Sequence, residues 1–345
     1  MNRALRVLLD GLAEDPDPRL RRAWSSVIMH RNVGAIPVSE LPAGEFNWNR
    51  GFDLLLLDRD GRQTHVCKVR PARDLRARNE ALVMAAMRLD PEVSSLLPPS
   101  YYRSVPDLQV LVTAFLPGRP YQHRLRLISA ADWLSDMREV LPLSCRFSAR
   151  AAELIPSLSG HGDPLDLSLQ TADEFSYLAG LGIESDKLMT LRRRLEAMAP
   201  LRASLQHGDL WPANLLHDRG SWSLLDFEAF GRIKVPLFDA IHLLRTCLEI
   251  RTGEQDSPLW LRRVLGPQPD SKACRQLMME AAQREGVSAE QAVGVLIHYW
   301  AVFARRSHLA GNPRGFWEPL LSEVREMARL IAEEPIVVDR LFSGS

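Results

Sequence analysis

Lysine and cysteine are both scarce in this chain of 345 residues. Only four of its 43 basic residues are lysines, at positions 68, 187, 234 and 272, so arginine carries nearly all the positive charge and each lysine merits inspection. The four cysteines, Cys67, Cys145, Cys247 and Cys274, form no C-x-x-C pair and no regular spacing. That excludes a disulfide framework and the usual zinc sites, and it predicts a reducing compartment. Net charge is lacking too. With 43 basic and 43 acidic residues there is no global attraction to nucleic acid or to an anionic membrane surface, and any charged partner must be recognised locally. No uncharged run reaches membrane-spanning length, and Arg3, Arg6, Asp10, Glu14 and Asp15 break up what would be the apolar stretch of a signal peptide. The expectation is a cytoplasmic protein with no nucleic-acid and no membrane partner; the chain carries no signal for an oligomeric state.

What is present is ordinary globular material: 46% hydrophobic residues, 25% charged, and a mean hydropathy of -0.14. The length suits two domains, or one large domain of two lobes. Apolar spacing predicts helix over 2–31, interrupted at Asp15-Pro16-Asp17-Pro18. From Ala35 the period shortens. Phe52 to Leu57 and Gln63 to Val69 read as a hairpin turning at Asp58-Arg59-Asp60-Gly61. A helix follows over 74–89, with Leu75, Leu82, Val83, Ala86 and Leu89 as its apolar face, and then strands at 101–105 and 108–115.

At Leu116-Pro117-Gly118-Arg119-Pro120 the strand pattern ends, and helical spacing dominates thereafter, over 130–157, 172–181, 184–198, 236–251, 272–285, 289–310 and 317–333. We therefore expect an α+β fold of two lobes: a helical extension over 1–33, a small mainly-β lobe over 34–116, and a larger mainly-α lobe over 117–345. A cleft between such lobes is a common place for a ligand.

The chemistry concentrates in His207-Gly208-Asp209-Leu210-Trp211-Pro212-Ala213-Asn214 and, after a short hairpin-like segment, Leu224-Leu225-Asp226-Phe227-Glu228. Phosphoryl transfer from a nucleotide requires one carboxylate to orient the attacking hydroxyl and accept its proton, and oxygen ligands to hold Mg2+ against the phosphates. Asp209 suits the first task, Asn214 and Asp226 the second. A second His-Gly-Asp, at 161–163, has Ser168 where the asparagine should stand and no apolar strand ending in an acid; it reads as a loop.

H-G-D-x-x-x-x-N followed by a strand ending in D-F-E resembles the aminoglycoside phosphotransferase and choline kinase-like family, relatives of the protein kinases, whose own version is H-R-D-L-x-x-x-N with D-F-G. The resemblance spans roughly residues 35–244. It implies a protein-kinase-like fold and a strand lysine that contacts nucleotide phosphates, held in place by a helix glutamate. Lys68, alone among the first 186 residues, lies in the second arm of the hairpin, and Glu80 in the helix that follows. The resemblance further implies a phosphate-covering turn at 42–51, where Gly44 permits the bend and Asn47 closes it, although neither G-x-G-x-x-G nor a Walker A sequence is present. It makes 111–118 the hinge whose backbone, around Thr113 and Phe115, meets the nucleotide base, and it makes Asp239 the brace beneath the catalytic loop.

The acceptor pocket is expected among the C-terminal helices, near the aromatics of 298–317, although core packing accounts for Val293, Leu296, Trp300 and Phe303 on one helix face. No acidic cluster of the kind a polycationic antibiotic requires stands out. The activity implied is an ATP-dependent, Mg2+-requiring transfer of phosphate, with GTP as the other candidate donor, to a hydroxyl of a small molecule such as an antibiotic, an amino alcohol or a sugar-like metabolite. A nucleotide-binding regulatory protein without turnover is the rival from another class. A protein kinase is disfavoured by the H-G-D and D-F-E variants and by the absence of A-P-E.

Overall fold

The computed structural model describes residues 27–30, 34–37, 52–57 and 62–342, except 106–107, 117, 159, 254–259, 310–316, 336–337 and 339. The expected turns at 42–51 and 58–61, and nearly all of the expected N-terminal helices, lie outside the described residues. Within 2–31, the end differs from the helix that apolar spacing predicts: Val27–His30 is a strand. Its backbone pairs with Gly34–Pro37 on one side and with Leu55–Leu57 on the other, a long-range pairing that side-chain period does not report.

The chain divides into two compact units, the first built from residues up to Gly118 together with Asp218–Phe230, the second from Arg119–His217 and Gly231–Ser345. The segment 218–230, expected in the helical lobe, therefore belongs to the first unit.

In the first unit six strands form one antiparallel sheet: β1 (Val27–His30), β2 (Gly34–Pro37), β3 (Phe52–Leu57), β4 (Gln63–Pro71), β5 (Ser100–Val105) and β6 (Leu108–Ala114), in the order β2-β1-β3-β4-β6-β5. β4 lies between β3 and β6, with Lys68 opposite Asp53 on one side and Leu111 on the other, so this lysine sits mid-sheet. Helix α1 (Arg76–Met87) buries Ala77, Glu80, Ala81, Val83, Met84 and Met87. The apolar face read from the sequence is thus rotated: Leu75, Leu82 and Leu89 are exposed, whereas Glu80 points inward and is 2% exposed. The short turn at Phe227–Ala229 packs on α1, where Asn79 Nδ2 donates to the carbonyls of Phe230 at 3.2 Å and Phe227 at 3.5 Å.

The second unit is helical: α2 (Ala130–Leu154), α3 (Leu167–Gly180), α4 (Ser185–Glu196), α5 (Phe238–Thr252), α6 (Pro269–Arg284), α7 (Ala289–Leu309) and α8 (Trp317–Glu333). Ser129 and Asp132 close a capping box at the start of α2, and Asp166 caps α3 through the amides of Ser168 and Leu169. α5 is the axis of this core; of its residues, 238 to 245 are all buried. The aromatics of α7 prove to be core: His298, Tyr299 and Trp300 are buried, Tyr299 stacks on Phe303 at 5.5 Å, and the Arg245 guanidinium lies 4.8 Å from the Phe303 ring. The four cysteines are free. No described helix is long and apolar enough to cross a membrane.

Candidate active site

Within the first unit, Lys68, Glu80 and Asp226 are brought together. The Lys68 ammonium donates to Glu80 at 2.8 Å and to Asp226 at 2.9 Å, and Glu228 lies 3.6 Å away. Burial alone would push the lysine down, but Glu80, Asp226 and Glu228 more than offset it and hold Lys68 above the ordinary lysine range, firmly charged. Burial pushes the Glu80 carboxyl up to about 7, against the pull of Lys68. Glu80 also accepts from the Phe227 amide at 3.3 Å, so one buried side chain holds both the lysine and the start of the return turn.

Asp226 has φ 65° and ψ 69°, a left-handed conformation that costs a non-glycine residue on the order of 1 kcal/mol, and its neighbours hold it there. Glu80, Asp226 and Glu228 can bring one oxygen each within 4.8 Å of one another. Lys68 already bonds two of them, and Arg70 takes Glu228 at 2.6 Å while its other nitrogen takes Asp53 at 2.6 Å. The side chain of Asp226 is 39% exposed, against 3% for Glu80 and 14% for Glu228. Of the three, it is the carboxylate open to a cation.

Within the second unit, the loop expected to be catalytic, 207–214, folds back as its five-residue spacing predicts. Asn214 Nδ2 donates to the Asp209 carbonyl at 2.9 Å and to Asp209 Oδ2 at 3.3 Å. Both hydrogen bonds of Asn214 Nδ2 go to Asp209, and Asn214 Oδ1 accepts none from a described residue, so an oxygen that could ligate a cation is left undonated. A hard cation that prefers a few carboxylate and carbonyl oxygens fits such donors. Asp209 itself is exposed, whereas His207 beside it is 2% exposed. Gly208 turns the chain between them at φ 79°, a conformation that favours glycine.

Beneath the loop, Asp239 accepts from the amides of His207 and of Gly208, the latter at 2.9 Å. It is presented by Leu237, which is left-handed at φ 66° just before α5. Gln206 Oε1 accepts from the Asp239 amide at 3.0 Å, and Glu285 Oε2 accepts from the Leu237 amide at 3.0 Å and from Gln206 Nε2 at 3.5 Å. Gln206, Glu285, Arg70 and Asn79 complete these frameworks, and none was singled out from the sequence; a glutamine or a helix-end glutamate carries no local signature. The second His-Gly-Asp lies in a loop, where Gly162 donates to the Ala203 carbonyl at 2.7 Å.

The hinge residues stand apart from the lysine cluster. Thr113 is buried with its hydroxyl 3.4 Å from the Val66 carbonyl, and the Phe115 amide already donates to Thr64 at 2.8 Å, so what Phe115 has to offer a base is its carbonyl. Gly44 and Asn47 lie outside the described residues.

The buried acids give stability a pH dependence. Burial pushes Asp239 and Glu285 up to about 7 and Glu323 up to about 8, well above their ordinary values. Between pH 8 and about 6.5 the folded chain binds protons that the unfolded chain does not, so acidification across that window stabilises. Burial pushes His242 down to about 3 and His298 down to about 4, so their unfolded forms begin to charge within this window and oppose the trend, but two groups half charged at its lower end offset only part of the gain from the three carboxyls. The thermal midpoint should therefore rise by a few degrees from pH 8 to pH 6.5. A midpoint that falls over this interval would contradict the burial of these carboxyls.

A model of the phosphotransferase enzyme family matches residues 46–270, well over half of the chain. No curated protein matches the sequence. Among solved structures, a glucosamine kinase aligns with a TM-score of 0.50 at 13% identity, covering 95% of this chain and 86% of its own. The GDP complex of an aminoglycoside 2'-phosphotransferase aligns with a TM-score of 0.52 at 12% identity, covering 86% and 92%. An ethanolamine kinase of Plasmodium vivax gives 0.51 at 12%, covering 81% and 80%. At such identities the likeness establishes the fold, a protein-kinase-like α+β arrangement with a small sheet unit and a larger helical one. On the extent of the family match, this chain belongs to the phosphotransferase enzyme family.

Proposed function

We propose that the protein is a small-molecule kinase that transfers the terminal phosphate of ATP, in the presence of Mg2+, to a hydroxyl of its acceptor. The observation that carries this reading is the pairing of an exposed Asp209 with an Asn214 whose amide oxygen is undonated, on a loop held from below by Asp239. Asp209 accepts the acceptor's hydroxyl proton as the oxygen forms its bond to the terminal phosphorus and the bond to the departing ADP breaks. Lys68, positioned by Glu80, contacts the nucleotide phosphates. Asn214 Oδ1 and the Asp226 carboxylate hold the divalent ion, which when bound offsets phosphate charge. Positioning and fixed charge then supply most of the rate gain. Gly44 and Asn47 are assigned to the phosphate-covering turn, and the backbone at Thr113 and Phe115 to the base.

The solved relatives include kinases named for an amino sugar and for an amino alcohol and a phosphotransferase named for an antibiotic class, which supports a small hydroxylated acceptor. The test is incubation with Mg2+ and ATP labelled in its terminal phosphate across a panel of amino sugars, amino alcohols and hydroxylated antibiotics. The reading predicts label in at least one acceptor. Label appearing in none of them, or in a mixture of peptides instead, would contradict it.

A further inference from the structure

Behind the catalytic loop, wholly within the second unit, lies a cavity of about 600 Å3, within the range of sites that hold ligands of drug size. Asp209 and Asn214 do not line it. α2, α5 and α6 form its walls, and small residues make its floor: Ala203, Ala240 and Ala281, all buried. Leu141 and Leu210 add apolar surface.

The mouth is different in kind. Arg146, Arg202 and Arg284 ring it, all exposed, and none of the three makes a side-chain hydrogen bond or ion pair with a described residue. Other arginines of the same unit are paired, as in Arg251 with Asp270 at 2.7 Å, Arg245 with Glu249 at 2.7 Å and Arg262 with Glu326 at 2.9 Å, while the exposed Arg193 and Arg232, like the three at the mouth, have no pair with a described residue. In a chain of zero net charge, three unpaired guanidinium groups around one cavity form a local field for an anion, and their planar donors match carboxylate and phosphate oxygens. Two carboxyls, Asp239 and Glu285, also line the cavity, so the three guanidinium groups outnumber the acids there by one; both acids accept from neutral amides, Asp239 from His207 and Gly208 and Glu285 from Leu237 and Gln206.

We propose that this cavity is a second ligand site, separate from phosphoryl transfer, for a small molecule with an apolar body seated on the alanine floor and an anionic head held by Arg146, Arg202 and Arg284. Its occupant shares a wall with Gln206, Asp239 and Glu285, the residues that hold His207 and Gly208 in place, and so steadies the loop. The site does not depend on which reaction the loop performs.

The probe is 8-anilinonaphthalene-1-sulfonate, an anion on an apolar ring system, titrated into the full chain with fluorescence as readout. One saturable site is expected, undisturbed by saturating ATP with Mg2+ and emptied by decanoate or by decyl phosphate; whichever displaces the dye at lower concentration names the head group as carboxylate or phosphate. The double substitution Arg202→Ala with Arg284→Ala, at exposed positions, should weaken the dye at least tenfold while leaving the thermal midpoint in place, and Ala281→Trp should fill the cavity and abolish binding. Bound decanoate or decyl phosphate should slow hydrogen exchange of the Gly208 amide at least threefold. Dye binding that is indifferent to the two arginines, absence of a saturable site, or unchanged exchange at Gly208 would overturn the proposal.

Discussion

Asp209→Asn should lower the rate of phosphate transfer by roughly a hundredfold to ten-thousandfold, the usual worth of a positioned general base. The side chain is exposed, and asparagine keeps its shape and one of its oxygens. Asn214 Nδ2 keeps its bond to the residue-209 carbonyl whatever side chain stands there, and Asp239 still holds the amides of His207 and Gly208. The loop should therefore stay folded, ATP should bind within a few fold of the parent affinity, and the thermal midpoint should not move. Single-turnover measurement with saturating ATP separates these quantities, since the loss should fall on the chemical step and not on binding. Transfer at more than a tenth of the parent rate would remove Asp209 from the role assigned to it.

Lys68→Met should act on both stability and binding. The ammonium is the shared partner of Glu80 at 2.8 Å and Asp226 at 2.9 Å, with Glu228 at 3.6 Å, and it is 8% exposed. Its removal leaves Glu80 buried without its cation, among acids of the same sign. Breaking a buried pair on one side costs about 3–5 kcal/mol, much more than the net worth of the intact pair. Arg70 remains to neutralise Glu228, which limits the damage to Glu80 and Asp226. The pH dependence gives the effect a signature. Without Lys68, the Glu80 carboxyl rises further above its unfolded value, so the folded variant takes up a proton that the unfolded chain takes up only at lower pH. The gap in thermal midpoint between variant and parent should therefore narrow as pH falls from 8 to 6. ATP affinity should drop at least tenfold at either pH. A gap that widens on acidification would mean that the lysine does not balance buried carboxylates.

What could be read from the sequence was what is local in it. The spacing of Asp209 and Asn214 lies within one loop, and their side chains meet there. Lys68 stood out because lysine is rare in this chain, and its strand was legible from alternation. Glu80 was named through resemblance, while the helical pattern pointed the wrong way: Leu75, Leu82 and Leu89 suggested an apolar face, yet α1 is rotated so that Glu80 meets Lys68 of β4. The leucines are left exposed because the helix is oriented by Ala77, Val83, Met84 and Met87 together with that ion pair. The frameworks beneath the site were not legible at all. Gln206 meets Glu285 across 79 residues, and Arg70 meets Glu228 across 158, and no local pattern encodes a contact of that range. The same holds for Val27–His30, whose strand state comes from its partners. Asp226 was legible as an acid ending a strand; its left-handed backbone was not, because that conformation is held by neighbours distant in the chain.

The proposed transfer requires that Asn214 and Asp226 serve one divalent ion. A double-substitution cycle on Mn2+ affinity, measured by electron paramagnetic resonance with a non-hydrolysable ATP analogue bound, asks this directly. Asn214→Ala and Asp226→Ala should each weaken Mn2+, and together they should depart from additivity by about 1 kcal/mol or more, as ligands of a single ion do. Losses that add within about 0.3 kcal/mol, or an affinity that neither substitution changes, would contradict it.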